Sequence, residues 1–276
     1  MPAIIFVILL MIFPVCYTLV ISFTDWALTS GRPMRFAGFG SYLSVLKDPR
    51  FHASVWRTFA FTFGAVAAET VLGTIIALIL NREFIGKGPL KFILLLPLVV
   101  TPVAIGIVFN LFYDPTIGFL NFILNGLGLP QSGWVTEAKT VLPSLMLVDV
   151  WQWTPMIALI VLAGLSGLSS EPFESAMVDG ANGIQIFFRV TLPMIMPTVL
   201  TAIVLRAVDA LKTYDIIYAM TRGGPGYSSE TLNILAYKLS FEYFSLGQSS
   251  AALVFLFLIV LLFSLGVMRL RRQFEQ

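Results

Sequence analysis

Between two long apolar runs the chain reads Ser169-Ser170-Glu171-Pro172-Phe173-Glu174-Ser175-Ala176-Met177-Val178-Asp179-Gly180-Ala181-Asn182-Gly183. This stretch predicts one short helix. Ser170 stands where an N-cap side chain would accept a backbone N–H. Pro172 falls in the first turn, where its missing N–H costs nothing. Glu171 and Glu174 lie near the positive end of the helix dipole, and Gly180 can adopt the left-handed conformation that ends a helix. A capped polar helix between two hydrophobic runs fits a docking element at a membrane surface, and it fits a plain interfacial connector equally well.

Working outward, the run before it spans about Val141 to Leu165 and the run after it about Met194 to Met220. Four more apolar segments lie at about Ala3 to Phe23, Trp56 to Leu80, Phe92 to Tyr113 and Ser249 to Leu270. Each approaches the roughly 20 residues that cross a bilayer. Helices are expected, because every backbone polar group must be satisfied internally in lipid, and the alternating strands of a membrane barrel are absent. The fold class predicted is an all-α membrane protein with six transmembrane helices, residues 1–276 forming a single domain. Composition agrees: of 276 residues, 58% are hydrophobic and only 12% charged, against about 25% charged in an ordinary soluble domain. That composition argues against a soluble globular fold and excludes a disordered chain. A net charge of +2 offers no basis for a nucleic-acid partner.

Cys16 and His52 are the sole cysteine and histidine, too few for a disulfide, a metal cluster or a nucleophile–histidine constellation. Gly86-Lys87 is followed by Gly88 rather than Ser or Thr, so there is no phosphate-binding loop. No catalytic residue, metal or bound cofactor is expected; if ATP drives the protein, another chain binds it. Ala3 to Phe23 lacks a basic lead and reads as a retained first helix, not a cleaved signal. Prolines at 14, 97, 102, 155 and 197 predict kinks. The compact Arg82 to Lys91 turn and the Arg269-Leu270-Arg271-Arg272 tail favour both ends inside, which puts the Ser170 to Pro193 loop in the cytoplasm.

That loop carries a resemblance. Glu174-Ser175-Ala176, three residues, Gly180, nine residues and Val190-Thr191-Leu192-Pro193 resemble the EAA loop of binding-protein-dependent ABC importers, with Ser175 and Val190 as mild departures. Asp179-Gly180-Ala181 is similar to the Asp-Gly-Ala of the carbohydrate branch. Pro14 to Tyr17, Phe36-Ala37-Gly38, Leu46 to Phe51, Gly86-Lys87-Gly88, Asp209 to Tyr218 and Thr221 to Pro225 also look like maltose and glycerol-phosphate type permeases. The resemblance implies a type I importer permease in a bacterial or archaeal inner membrane. It implies as partners a second homologous permease, two ATPase subunits holding ATP and Mg, and an extracytoplasmic solute-binding protein. It implies that residues 170–193 are a cytoplasmic coupling loop. Glu174, Ser175, Ala176, Asp179, Gly180 and Ala181 would face the ATPase.

Ionisable residues inside spans are functional candidates: here Glu69, Asp149, Arg206, Asp209, Lys212 and Asp215. Spacing by three lets Arg206 pair with Asp209 and Lys212 with Asp215 on one helix, either as self-neutralised structure or as the wall of a hydrated path. The candidate solute contacts are Asp209, Thr213 and Lys212, then Trp151, Gln152 and Trp153, then Thr101. Aromatic faces suit sugar rings, and a glutamine supplies both a donor and an acceptor. Two other classes stand beside the permease: an ion-coupled carrier using Glu69, Asp149 and Asp209 as a relay, and a membrane transferase. The first lacks a visible inverted repeat and the second lacks an acidic or His-rich surface cluster.

Overall fold

The computed structural model describes residues 6 and 8–274. Helix α1, Ile8–Ser22, opens with a π-helical turn. After the outer loop come α2, Gly40–Lys47, and α3, Pro49–Leu80, which Asp48 caps by accepting from the Arg50 N–H at 2.8 Å. Next are α4, Lys87–Val99, α5, Pro102–Phe112, and the short α6, Phe119–Gly126. The second half comprises α7, Val141–Ser166, α8, Glu171–Val178, and α9, Gly183–Leu211, with a π turn at Phe187–Thr191. It ends with α10, Asp215–Thr221, α11, Leu232–Phe241, and α12, Leu246–Phe274.

The expectation of six spans is corrected. Among the described residues four helices are long and apolar enough to cross a membrane, or up to five if α4 and α5 count as one bent span. The physical reasons differ by segment. The run Phe92 to Tyr113 is broken at Val100-Thr101: both are extended, Pro102 cannot donate to the turn before it, and α4 and α5 diverge by 101°. The first run is a short helix in its described part, covering about 22 Å of the roughly 30 Å a bilayer demands; Ala3 to Ile5 and Val7 lie outside the described residues. The fifth run begins earlier, at Gly183, and stops at Leu211, so Lys212 to Met220 belong to a turn and to α10.

Helices α3 and α7 form the centre of the bundle, and α9 packs against both. Their close approach uses Gly73, where a Cβ would sit 2.9 Å from the Ile157 side chain and 3.1 Å from the Ala158 nitrogen. One apolar cluster joins Ala77, Ile157, Val161, Ile195 and Val199; another joins Phe61, Ile105, Leu145, Val148 and Ile217. Leu72, Ile75, Ile79, Phe257 and Leu262 are exposed on the long helices. This outward apolar face is what a lipid-embedded bundle presents. Helix α12 carries α1 on its flank. At one end, the wholly buried Glu230 gathers Arg50 (2.6 and 2.5 Å), Lys238 (3.2 Å) and, through its carbonyl, Arg57 (2.9 Å). It thereby ties the loop before α11 to the start of α3.

Candidate functional site

Arg206 is anchored by its helix in the middle of the bundle, only 1% exposed. A guanidinium in that position must be paired, because an unpaired buried charge costs several kcal/mol. Its Nε lies 2.8 Å from Glu69 Oε2 and its Nη2 3.1 Å from Glu69 Oε1, while Nη2 also pairs with Asp149. The Trp153 ring covers it, with 5.1 Å from Cζ to the ring centroid. Helices α3, α7 and α9 thus meet at one ion cluster. The expected Arg206–Asp209 pair is replaced by these long-range partners, because a buried cation selects carboxylates that are themselves desolvated. The expected Lys212–Asp215 pair is replaced too: Lys212 Nζ lies 3.3 Å from Asp209, both half-exposed. Asp215 opens α10 beyond the break, so the four charges do not share one helix.

On the open side of this cluster lies a cavity of about 180 Å³. Asp149, Gln152, Trp153, Arg206, Asp209, Lys212, Thr213 and Tyr214 contribute to its wall. Gln152 is 2% exposed. Its Nε2 donates to the Val100 carbonyl at 3.3 Å, an oxygen freed by the break between α4 and α5. Its Oε1 is buried without a protein partner. Of the candidate solute contacts, Gln152, Trp153, Asp209, Lys212 and Thr213 therefore come together in this wall. Thr101 is not part of the lining, although Pro102 beside it is. Trp151 points elsewhere: its ring lies tilted against Phe109, centroids 5.4 Å apart, and faces an apolar groove with Leu72, Ile93 and Pro97. Trp151 lies one 100° step from Gln152 on α7, on the side away from Trp153, which turns it toward that groove.

Sequence reasoning missed the aromatic ladder beside the wall. Tyr214 stacks on Tyr218 at 5.1 Å, and Tyr237 of α11 lies 5.2 and 4.9 Å from them. Asn233 Nδ2 donates to the Lys212 carbonyl at 2.7 Å, pinning the turn after α9. Burial, and then the neighbouring Tyr237, push the Tyr214 phenol above its ordinary range, so it stays a neutral hydroxyl. The Tyr214–Tyr218 spacing was a visible signal for one side of the ladder; nothing local announces Tyr237.

A second surface is α8. Its first turn carries Glu171, Pro172 and Glu174, and none of its residues is buried. Ser170 occupies the N-cap position, but its backbone is helical and its side chain makes no cap bond, so the expected cap is corrected. Gly180 has φ +78°. There the Ala181 N–H reaches back to the Ala176 carbonyl at 3.0 Å and the Gly180 N–H to Met177 at 3.1 Å, closing the helix. Asn182 then starts α9 with a capping box: Gln185 N–H to Asn182 Oδ1 at 3.0 Å, Asn182 N–H to Gln185 Oε1 at 2.8 Å. Glu174, Ser175, Asp179 and Gly180 are exposed, with Ala176 and Ala181 half-buried.

A family model for the binding-protein-dependent transport system inner membrane component matches residues 69–276. The chain belongs to that family. It is a multi-pass inner-membrane permease subunit of an ABC importer, working in a multi-subunit assembly with a binding protein and ATPase partners, as the resemblance of its EAA-like loop implied. A probable ABC transporter permease protein, y4oQ, of Sinorhizobium fredii is 36% identical over 91% of this permease and 81% of its own length. The trehalose/maltose transport system permease protein MalF of Thermococcus litoralis is 35% identical over 86% of this chain and 80% of its own. A solved bacterial ABC transporter involved in the import of the acidic polysaccharide alginate superposes with a TM-score of 0.86. That likeness covers 100% of this chain and 94% of the other at 20% identity, and it shows the fold. Among the described residues of the permease, no cluster of three His, Cys, Asp or Glu could hold a metal ion.

Proposed function

We propose that this permease takes up a sugar or sugar derivative handed to it by its binding protein, as a single domain whose 170–193 loop is the coupling element to an ATPase. The observation that carries this reading is α8: a short helix between two spans that buries none of its residues while exposing Met177 and Val178. Exposed apolar residues beside Glu174 and Asp179 suit a protein groove. Glu174, Ser175, Ala176, Asp179, Gly180 and Ala181 would contact the ATPase, and Gly180 would hold the turn. Helix α9, 29 residues long, would carry the ATPase movement about 35 Å from its start to Arg206 and the cavity, which would open alternately to each side. Gln152, Trp153, Asp209, Lys212 and Thr213 would meet the solute.

A cavity of about 180 Å³ is smaller than the roughly 300–1,000 Å³ of a complete ligand site. This supports a second, related permease supplying the facing wall. The 35% identical relative is named for trehalose and maltose, which makes these the first solutes to screen by thermal shift on the cognate binding protein. The test of the coupling role is Gly180→Asp. Copurification with the ATPase and the second permease, membrane insertion and uptake are measured together. The reading expects normal insertion with lost uptake; normal uptake with normal ATPase docking sinks it.

A further inference from the structure

The short helix α2 lies at the end of the bundle away from α8, and its apolar face is turned outward. Phe39, Leu43 and Leu46 recur at the i, i+4, i+7 spacing of one helix face, and all three are exposed. Of the residues of α2 only Ser41 and Val45 are buried. The Ser41 hydroxyl donates to the Thr24 carbonyl at 2.6 Å, and the Ser44 hydroxyl accepts from Gln248 at 2.9 Å. A helix in water would show its serines and hide its leucines, so the outward stripe calls for an apolar cover.

Two contacts set this stripe at the edge of the bilayer. Phe36 pairs with Thr24 in an antiparallel bridge, and the Ala37 N–H donates to the Phe23 carbonyl at 2.8 Å. The exposed Phe36 ring therefore stands level with the end of α1. On α3, His52 Nε2 lies 2.7 Å from the Leu46 carbonyl. Trp56 follows His52 one turn along the same face and Phe63 two turns further, both exposed. The stripe of α2 thus continues into the outward apolar face of α3.

The border of the patch is basic. Arg35 adjoins Phe36 and Lys47 adjoins Leu46 in the chain, with Arg32 close by. All three are exposed, and none has an ion pair among the described residues. The acidic residues between Thr24 and Arg57 are Asp25 and Asp48. Asp25 accepts from the Arg35 N–H at 3.2 Å, and Asp48 is engaged as the cap of α3.

We propose that this patch is an interfacial site for anionic phospholipid. Phe36, Phe39, Leu43, Leu46 and Trp56 enter the boundary between headgroups and acyl chains, as amphipathic and aromatic surfaces do. Arg32, Arg35 and Lys47 meet the lipid phosphates in the leaflet away from α8. The site stands apart from the solute path and holds whichever solute the permease carries.

The experiment places Leu43→Trp in the permease assembled with its second permease and ATPase subunits, in phosphatidylcholine nanodiscs. The fluorescence gained over the native assembly is read against brominated lipids and against aqueous acrylamide. A minor fraction of brominated phosphatidylglycerol is expected to quench it at least about twofold more than the same fraction of brominated phosphatidylcholine. Adding Arg32→Gln, Arg35→Gln and Lys47→Gln is expected to make the two lipids quench alike. The native Trp56, read as the signal lost in Trp56→Phe, is expected to be quenched by both lipids with α2 unaltered. Quenching by acrylamide with none by either lipid overturns the proposal and gives the patch to water or to the binding protein. Protection from lipid and acrylamide alike overturns it in favour of the second permease. Equal quenching by the two lipids before the cations are removed, or a preference that survives their removal, overturns the anionic site.

Discussion

Arg206 and Lys212 stand near the same end of α9 and line the same cavity, yet the bundle treats them oppositely. Arg206 is 1% exposed and is held by two carboxylates from two other helices. Lys212 is half-exposed and holds a neighbour from its own helix turn. The difference is access to water. A buried cation must be neutralised by the fold, so it becomes part of the frame. A cation at the rim is solvated, so its partner is optional and the charge stays available to tune recognition. The teaching is that charge in this membrane protein divides into frame and surface by depth, not by residue type.

The largest expected effect tests the frame. Arg206→Met leaves Glu69 and Asp149 buried beside each other and should destabilise the fold by about 3–5 kcal/mol, read as thermal unfolding of the purified assembly; native melting would erase the distinction between the two cations. Gly73→Val strikes the same frame without touching a charge. Its side chain meets Ile157 where even a Cβ lies 2.9 Å away, and a loss of about 1–3 kcal/mol is expected. No change in melting would mean that α3 and α7 can part without disturbing the cluster.

Gln152→Leu stands between frame and surface. Loss of the donor to Val100 should cost about 1 kcal/mol of stability. Loss of the empty acceptor should weaken trehalose binding about tenfold. A variant that melts lower but binds trehalose as before would assign Gln152 to the frame alone. The smallest effect belongs to the rim: Lys212→Ala should change stability by less than about 1 kcal/mol. A large drop in its melting temperature would show that depth does not separate the two ion pairs.

Much of this was legible in the chain. The apolar runs marked the helices, and Glu174 to Gly180 marked a short exposed helix with its left-handed stop, because periodicity and turn residues act within a few positions, whereas the Ser170 cap does not form. Gln152 and Trp153 were legible as candidates from their chemistry. The break at Val100-Thr101 was visible as a proline but not as a 101° turn, since a proline fixes one dihedral and the packing around it fixes the direction. The pairing of Arg206 was illegible. Spacing favours Asp209, but a side chain on α9 that faces α3 and α7 finds Glu69 and Asp149, 137 and 57 residues away in the chain.

The sequence by itself determined that this chain lives in a bilayer, that it is helical, and that one short polar helix lies between two apolar runs. These follow from hydrophobicity and from local backbone chemistry, both of which are read over a few turns. Only the tertiary structure decided how many helices are long enough to span, which carboxylates neutralise Arg206, and which face of α7 meets the cavity. Each of those depends on three helices meeting in space, where desolvation rewards partners by distance and burial, regardless of their separation along the chain.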